Sequence, residues 1–347
     1  MSGHVLKVVR ESLPATQVSL AEQLDVDVAT VQGWETGRRP LSAVRTSELS
    51  RLKRRLIRLG AKPGPVHLLT DAIEADLAIT ATVLGGDSGV GSDHPLAGVV
   101  HQRRITKLIA WPLTNVMPPE LRSLPRARRR RGPVAKAPTL SSELQLQFFD
   151  NLRGGVERSA GDLLLRRQAT FLLGFDRRPS TKRMLLDEHR PVTGALGDPA
   201  AWLAARSSAI ALSRAGDPEP LQHFIRYHTA GDREVLANLN YWAYYLGESE
   251  ELQTDDSFVF SMDATAWSGT RMFTHLATHL DDPVNQELNI HSLWTLLLVR
   301  PTLARQHSSV RNAAQSAVSK LVDDDLCAQT KEKLRSVQYA LRIAERE

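Results

Sequence analysis

The stretch TQVSLAEQLDVDVATVQGWETGRRP, residues 16 to 40, decides how this chain is read. Leu20, Ala21 and Leu24 fall on one apolar face of a first short helix, and Val31 and Trp34 on the apolar face of a second. Between them Asp25-Val26-Asp27 leaves room only for a tight turn, which predicts two helices crossing at close range with the small Ala21 where they meet. Asp27 is expected to cap the second helix, leaving Val28, Ala29, Gln32 and Gly33 pointing outward. Glycine inside a helix costs about 1 kcal/mol relative to alanine, so Gly33 is read as keeping that surface bare for a close approach. Gly37-Arg38-Arg39-Pro40 ends the helix on two cations.

Working outward, residues 4 to 60 read as a run of short helices. Thr46 is expected to cap the last of them, in which Leu49, Leu52, Leu56 and Leu59 recur every three or four positions up to Gly60. Its other face carries Arg51, Arg54, Arg55 and Arg58, a pattern open to three readings: a solvated face, a phosphate contact or a dimer contact. Residues 1 to 140 hold 21 Lys and Arg against 12 Asp and Glu, whereas residues 141 to 347 hold 23 against 27. The net +5 therefore hides a basic N-terminal part, whose expected partner is a polyanion, nucleic acid being the commonest.

On the residues quoted, the early segment resembles the Xre/Cro-type helix-turn-helix family of phage repressors and bacterial regulators. The family pattern, approximately T-Q-x-x-L-A-x-x-L-G-V-S-x-x-T-I-S-x-W-E-x-G-x-x-x-P, is followed without a gap from Thr16 to Gly37, with Pro40 one residue early. Asp25 stands where the family usually has glycine, and Asp27 where it has a serine-like cap, a negative charge near passing phosphates. The resemblance covers about 60 of the 347 residues and implies a lambda-repressor-like domain that binds double-stranded DNA. Residue by residue it implies that Gln17 fixes a phosphate or a base edge, that Val28, Ala29, Gln32 and Gly33 face the major groove, and that Arg38 and Arg39 hold the backbone. Arg10 would pair with Glu35 in a structural ion pair. Base edges are read by hydrogen bonds and apolar contacts, while arginines on phosphates set orientation and supply salt-dependent affinity.

Beyond this module lie a helical segment, 66 to 123, and a stretch from 124 to 141 in which five arginines and three prolines replace apolar periodicity. The latter reads as a basic linker whose run Arg128 to Arg131 is either a tether or a phosphate contact. The loop GGDSGVGSDHP, residues 85 to 95, lacks a P-loop lysine and a preceding strand, so Ser88 is read as part of an ordinary loop. From 142 to 347 the pattern is helix after helix. AGDPEPL at 215 to 221 and AGDREVL at 230 to 236 nearly repeat, with Asp217 and Asp232 as expected caps after helix-ending glycines, and Asp198-Pro199 and Asp282-Pro283 as further start signals. The fold class expected is all-α, an N-terminal domain at 1–65 followed by helices stacked in the manner of HEAT or tetratricopeptide solenoids.

Aromatics concentrate in the last part, where Leu236, Leu239, Trp242, Ala243 and Leu246 follow helical spacing and read as core, with a small-molecule or partner pocket as the other reading. His275 and His279 in HLATH could share a metal ion, but Leu276 stands where a metalloprotease helix needs glutamate. No cofactor and no catalytic residue set is expected. The single cysteine, Cys327, excludes a disulfide framework, and the absence of a long apolar run argues against membrane insertion, so a bacterial cytoplasmic protein associated with the nucleoid is expected. The leading expectation is a homodimeric transcription regulator, a repressor rather than an activator, whose C-terminal helices sense a small molecule or protein. The alternative is a helical interaction scaffold, in a phage-response or developmental complex, with secondary DNA contact.

Overall fold

The structure is a computed structural model that describes residues 1–85, 94–122, 124–125, 137–158, 162–189, 197–249, 251, 253–321 and 326–346. Every regular element among them is helical. The basic run Arg128 to Arg131 and Ser88 lie outside the described residues. Among the described residues no helix is long and apolar enough to cross a membrane.

Packing divides the chain into two compact units, Met1–Leu173 and Gly174–Glu347. Unit 1 runs α1 Ser2–Glu11, α2 Gln17–Leu24, α3 Val28–Thr36, α4 Thr46–Arg58, α5 Pro63–Leu84, α6 Pro95–Gly98, α7 Arg103–Thr114, α8 Pro119–Arg122, α9 Ser142–Arg158 and α10 Leu163–Leu173. Its axis is α5, which opens on Pro63, where a missing N–H costs nothing, and touches α1, α4, α6, α7, α8 and α9. Ala72, Ala75 and Ala78 are fully buried and let these neighbours come close. At its far end Gly85 turns left-handed (φ 43°), and the Asn151 amide of α9 donates to the Thr82 and Val83 carbonyls, both at 2.9 Å. This contact, with Phe148, Phe149 and Leu152 in the core, draws α9 and α10 into unit 1. The division by packing thus falls at 173, whereas sequence composition suggested boundaries at 65, 123 and 141.

A close approach explains one glycine. Gly3 of α1 lies against the main chain at the end of α3, where a methyl group would run into the Trp34 carbonyl oxygen. Because that oxygen belongs to helical backbone it cannot swing aside, and Gly3→Ala is expected to cost unit 1 about 2–3 kcal/mol. Urea denaturation checks this, a loss below half a kcal/mol showing that α1 can shift freely.

Unit 2 runs α11 Pro179–Glu188, α12 Pro199–Arg214, α13 Glu219–Tyr227, α14 Asp232–Leu246, α15 Phe258–Ser261, α16 Thr270–Thr278, α17 Gln286–Val299, α18 Leu303–Gln306, α19 Ser308–Leu321 and α20 Ala328–Arg346. Its centre is α17, which packs on α13, α14, α16 and α20 and buries residues all round its circumference. Buried polar groups pin α14 to its neighbours. Asn238 Nδ2 and Trp242 Nε1 both donate to Ser292 Oγ, at 2.8 and 3.0 Å, while Asn240 accepts from Trp267 Nε1 and donates to the Val259 and Met262 carbonyls.

Of the expected caps, Asp198 accepts from Ala200 N at 3.0 Å and starts α12. The others work differently. Asp217 precedes the N-cap position, which Pro218 fills, and Asp232 is the first helical residue after Gly231, close to the N-terminal end of the dipole but not a cap. Asp282 closes a turn onto Val284 N and Asn285 before α17 begins. Thr46 likewise opens α4 after Arg45 without capping it.

Candidate nucleic-acid interface

The segment from 16 to 37 forms two helices joined by a turn of three residues. Thr16 caps α2 by accepting from Ser19 N at 3.0 Å, and Ser19 Oγ in turn accepts from Thr16 N at 3.0 Å, a reciprocal box written with serine in place of the usual glutamate. Asp25 ends α2 in the left-handed region (φ 58°, ψ 51°), and Val26 N reaches back to the Ala21 carbonyl at 3.1 Å. Asp27 occupies the N-cap position of α3, but its side chain makes no capping bond. The carboxylate is exposed. Leu20, Ala21, Leu24, Val31 and Trp34 are buried with Val5, Leu6 and Val9 of α1.

Arg10 and Glu35 form the pair that ties α1 to α3. Both are buried, and Glu35 accepts from Arg10 Nε at 2.5 Å and from Arg10 Nη2 at 3.0 Å, while Arg10 Nη1 donates to the Ala15 carbonyl at 3.1 Å. Gln17 joins the same knot. Its amide donates one N–H to Glu35 Oε2 at 2.7 Å, which leaves the second N–H for a phosphate or a base acceptor and the carbonyl oxygen for a base donor.

The predicted outward residues divide. Ala29 and Gln32 are exposed and Val28 is half-buried at the start of α3. Gly33 is not bare. It is buried, and the stem of Arg39 lies over it, so that an added methyl would meet the Arg39 chain at 3.1 Å. The cause is the helix end: Gly37 turns left-handed (φ 76°), Arg39 N returns to the Gly33 carbonyl at 2.9 Å, and the Arg39 guanidinium reaches Thr30 Oγ1 at 2.8 Å. The glycine is therefore room for an arginine stem laid along α3. Arg39 Nη1 is held on the exposed side of that helix, and Arg38 beside it is exposed.

Charge around this surface is one-sided. Residues 38 to 62 contain seven arginines and two lysines against one acid, Glu48. On α4, Arg55 donates to the neutral Gln23 Oε1 at 2.8 Å, while Lys53 donates to Thr70 Oγ1 at 2.8 Å and lies within electrostatic reach of Asp71. Arg38, Arg45, Arg51, Arg54 and Arg58 are exposed and form no ion pair among the described residues. Like charges three and four positions apart on a helix are each destabilising by about 0.2–0.5 kcal/mol, so α4 carries this face at a cost to itself.

His275 and His279 do not form a metal-ready pair. Their rings stack at 4.2 Å, and His279, already past the end of α16, uses Nδ1 on the His275 carbonyl at 2.8 Å. Among the described residues no group of three or more His, Cys, Asp or Glu is arranged to hold a metal ion. Two buried groups had no forewarning in the sequence reading. Arg206 and His291, both in unit 2, are buried without a hydrogen-bond partner of good geometry for Arg206 Nε or for either ring nitrogen of His291. The sequence signal that could have found His291 is the apolar run on every face of α17.

No protein-family model matches this chain, and neither the curated proteins nor the solved structures give a match.

Proposed function

We propose that this chain is a DNA-binding transcription regulator of the Xre/Cro helix-turn-helix kind, with α2 and α3 as the motif and α3 as the helix that enters the major groove. The observation that carries the reading is the uncompensated basic surface of residues 38 to 62 beside the exposed Ala29 and Gln32 of α3. A phosphate backbone supplies the missing counter-charge. Ala29 and Val28 suit thymine methyl groups and Gln32 suits an adenine edge, while Arg38 and the guanidinium of Arg39 hold phosphates. One module makes few contacts, so a homodimer on two half-sites one helical turn apart is the expected complex, acting as a repressor in a bacterial cytoplasm. Unit 2, with its repeat-like helix pairs in the manner of a solenoid, serves dimerisation and the sensing of an effector.

Mobility shift of the full chain on genomic fragments at several salt concentrations tests this. Arg38→Ala is expected to lower affinity for all sequences and to flatten the slope of log K against log salt by about 0.9, whereas Gln32→Ala should relax discrimination and leave the slope unchanged. Arg51→Ala/Arg54→Ala/Arg58→Ala should flatten it by about 2–3 if the α4 face tracks phosphates. Indifference of the wild-type chain to duplex DNA at low salt would overturn the reading.

A second reading has its own observation. A shallow apolar groove between α17 and α20 is lined by Trp294, Leu297, Val337 and Ala340, and Leu298 and Tyr339 stand at its edge 64% and 68% exposed. Such a surface suits a protein partner, in keeping with a helical interaction scaffold that touches DNA secondarily.

A further inference from the structure

Arg10 and Arg206 are equally buried, each 4% exposed, yet their surroundings are opposite. Arg10 is surrounded by acceptors: two oxygens of Glu35 and the Ala15 carbonyl. Arg206, on α12, makes no hydrogen bond and no ion pair among the described residues, and its Nε is sealed from solvent. What it does have is the face of Tyr241, 3.9 Å from the guanidinium carbon to the ring centroid, with the Trp242 ring at 5.4 Å. Tyr241 and Tyr245, one turn apart on α14, lie nearly parallel, and both are half-buried.

Burying an unpaired guanidinium is costly, and a stacked tyrosine returns only part of that cost. Among the described residues no carboxylate makes up the difference: the ionisable groups acting on Arg206 there are the phenols of Tyr241 and Tyr245. Arg214, two turns further along α12 and acting on the same Tyr245, has Asp282 as its counter-charge. Arg206 has no such acid. Its two terminal nitrogens, unlike Nε, keep a trace of solvent contact, so the small exposed part of this side chain includes the planar fork, with an aromatic ring against it. A fork of this kind takes a planar oxyanion through two parallel hydrogen bonds.

We propose that Arg206 anchors an oxyanion site on the α12–α14 face of unit 2, which holds the carboxylate or phosphate group of a small ligand in a bidentate contact, with Tyr241 stacked behind the guanidinium and Tyr245 beside it. The site involves no residue of unit 1 and stands whether or not the chain binds DNA. If the chain is a regulator, it names the chemical class of the effector.

The test uses the full chain at neutral pH, titrated separately with sodium acetate and sodium phosphate against sodium chloride at matched ionic strength. Thermal melting and tryptophan fluorescence are the readouts, the latter because Trp242 adjoins the site. At least one oxyanion is expected to raise Tm saturably, by about 2–5 °C at ten times its Kd, and which one does so separates the carboxylate from the phosphate arm. Arg206→Lys keeps the charge and loses the fork, and should bind about tenfold more weakly or worse. Arg206→Met should abolish the oxyanion effect and melt in chloride at the wild-type temperature or above, since an apolar group of similar volume in place of an unpaired buried charge is neutral or stabilising. Tyr245→Phe, which keeps the ring, should weaken binding several-fold, measured against that variant's own melting temperature in chloride. The proposal is overturned if neither oxyanion acts saturably on the wild type, if Arg206→Met retains the effect, or if Arg206→Met melts clearly lower in chloride, which would make the arginine a structural strut.

Discussion

Glu35→Ala is expected to destabilise unit 1 by about 3–5 kcal/mol, the scale on which breaking one side of a buried ion pair operates. The carboxylate it removes accepts three hydrogen bonds, two from Arg10 and one from Gln17, and all three donors are left behind. Arg10 is too buried for water to take over. The effect should be confined to the unfolding transition of unit 1, because the pair joins α1 to α3, and DNA binding should fall with it as the two helices of the motif lose their tie to α1. Glu35→Gln keeps an acceptor but gives up the charge, and should cost about 1.5–3 kcal/mol. The informative companion is Arg10→Met/Glu35→Leu, which removes both charges and should recover most of the loss, since the penalty in the single variant is chiefly that of the stranded guanidinium. Urea denaturation of the three variants measures this; a Glu35→Ala chain within 1 kcal/mol of wild type would show that the pair is not what holds the α1–α3 contact.

The same pair shows how far the sequence could be read. Arg10 and Glu35 are 25 positions apart, and only the likeness of residues 16 to 37 to a known pattern linked them. Helices α2 and α3 were legible from apolar spacing and from turn residues, because both signals are local. Gly33 misled for the opposite reason. Its role depends on the chain doubling back after Gly37 so that the Arg39 stem covers it, and nothing in the spacing of residues 31 to 40 states that return. Composition carries no mark at 173, where packing divides the chain. A run of arginines and prolines resembles a boundary, but α9, which follows it, offers Phe148, Phe149 and Leu152 to the core of unit 1 and an amide to the end of α5. In α17 the sequence QELNIHSLWTLLLV has apolar residues on all faces, which predicts full burial yet cannot say which polar side chain will be stranded inside. That depends on α13, α14, α16 and α20 closing around it.

Stability should fall steeply as pH drops below 6.5, and His291 is the main cause predicted for unit 2. The ring is 2% exposed, and neither nitrogen has a hydrogen-bond partner of good geometry, the Thr229 backbone offering a marginal one. Burial, then the ammonium of Lys333 on α20, holds its pKa down to about 3, while the neighbouring Thr229 backbone opposes them only weakly. In the unfolded chain the same imidazole titrates near 6.5. Between these values the unfolded state takes up a proton that the folded state refuses, so stability is retained above pH 6.5 and lost at about 1.4 kcal/mol per pH unit as acid is added. Burial also lowers the pKa values of the half-buried His189 and the buried His228, which adds to the loss near neutral pH. Asp176, held down by hydrogen bonds from Arg178 and Thr181 in spite of its burial, adds to it in stronger acid. His291→Leu isolates the histidine. At pH 7 the variant should match or exceed the wild type, since a neutral ring with unsatisfied nitrogens is replaced by an apolar side chain. At pH 4.5 it should be more stable by about 2–3 kcal/mol, because the leucine has no proton to accept. Lys333→Met, by removing the repelling ammonium, should raise the folded-state pKa of His291, so that the loss still begins near pH 6.5 but ends at a higher pH and is smaller in total. Urea denaturation at pH 7, 5.5 and 4.5 provides the comparison, and curves for wild type and His291→Leu that run parallel with pH would show that the imidazole reaches water before the unit unfolds.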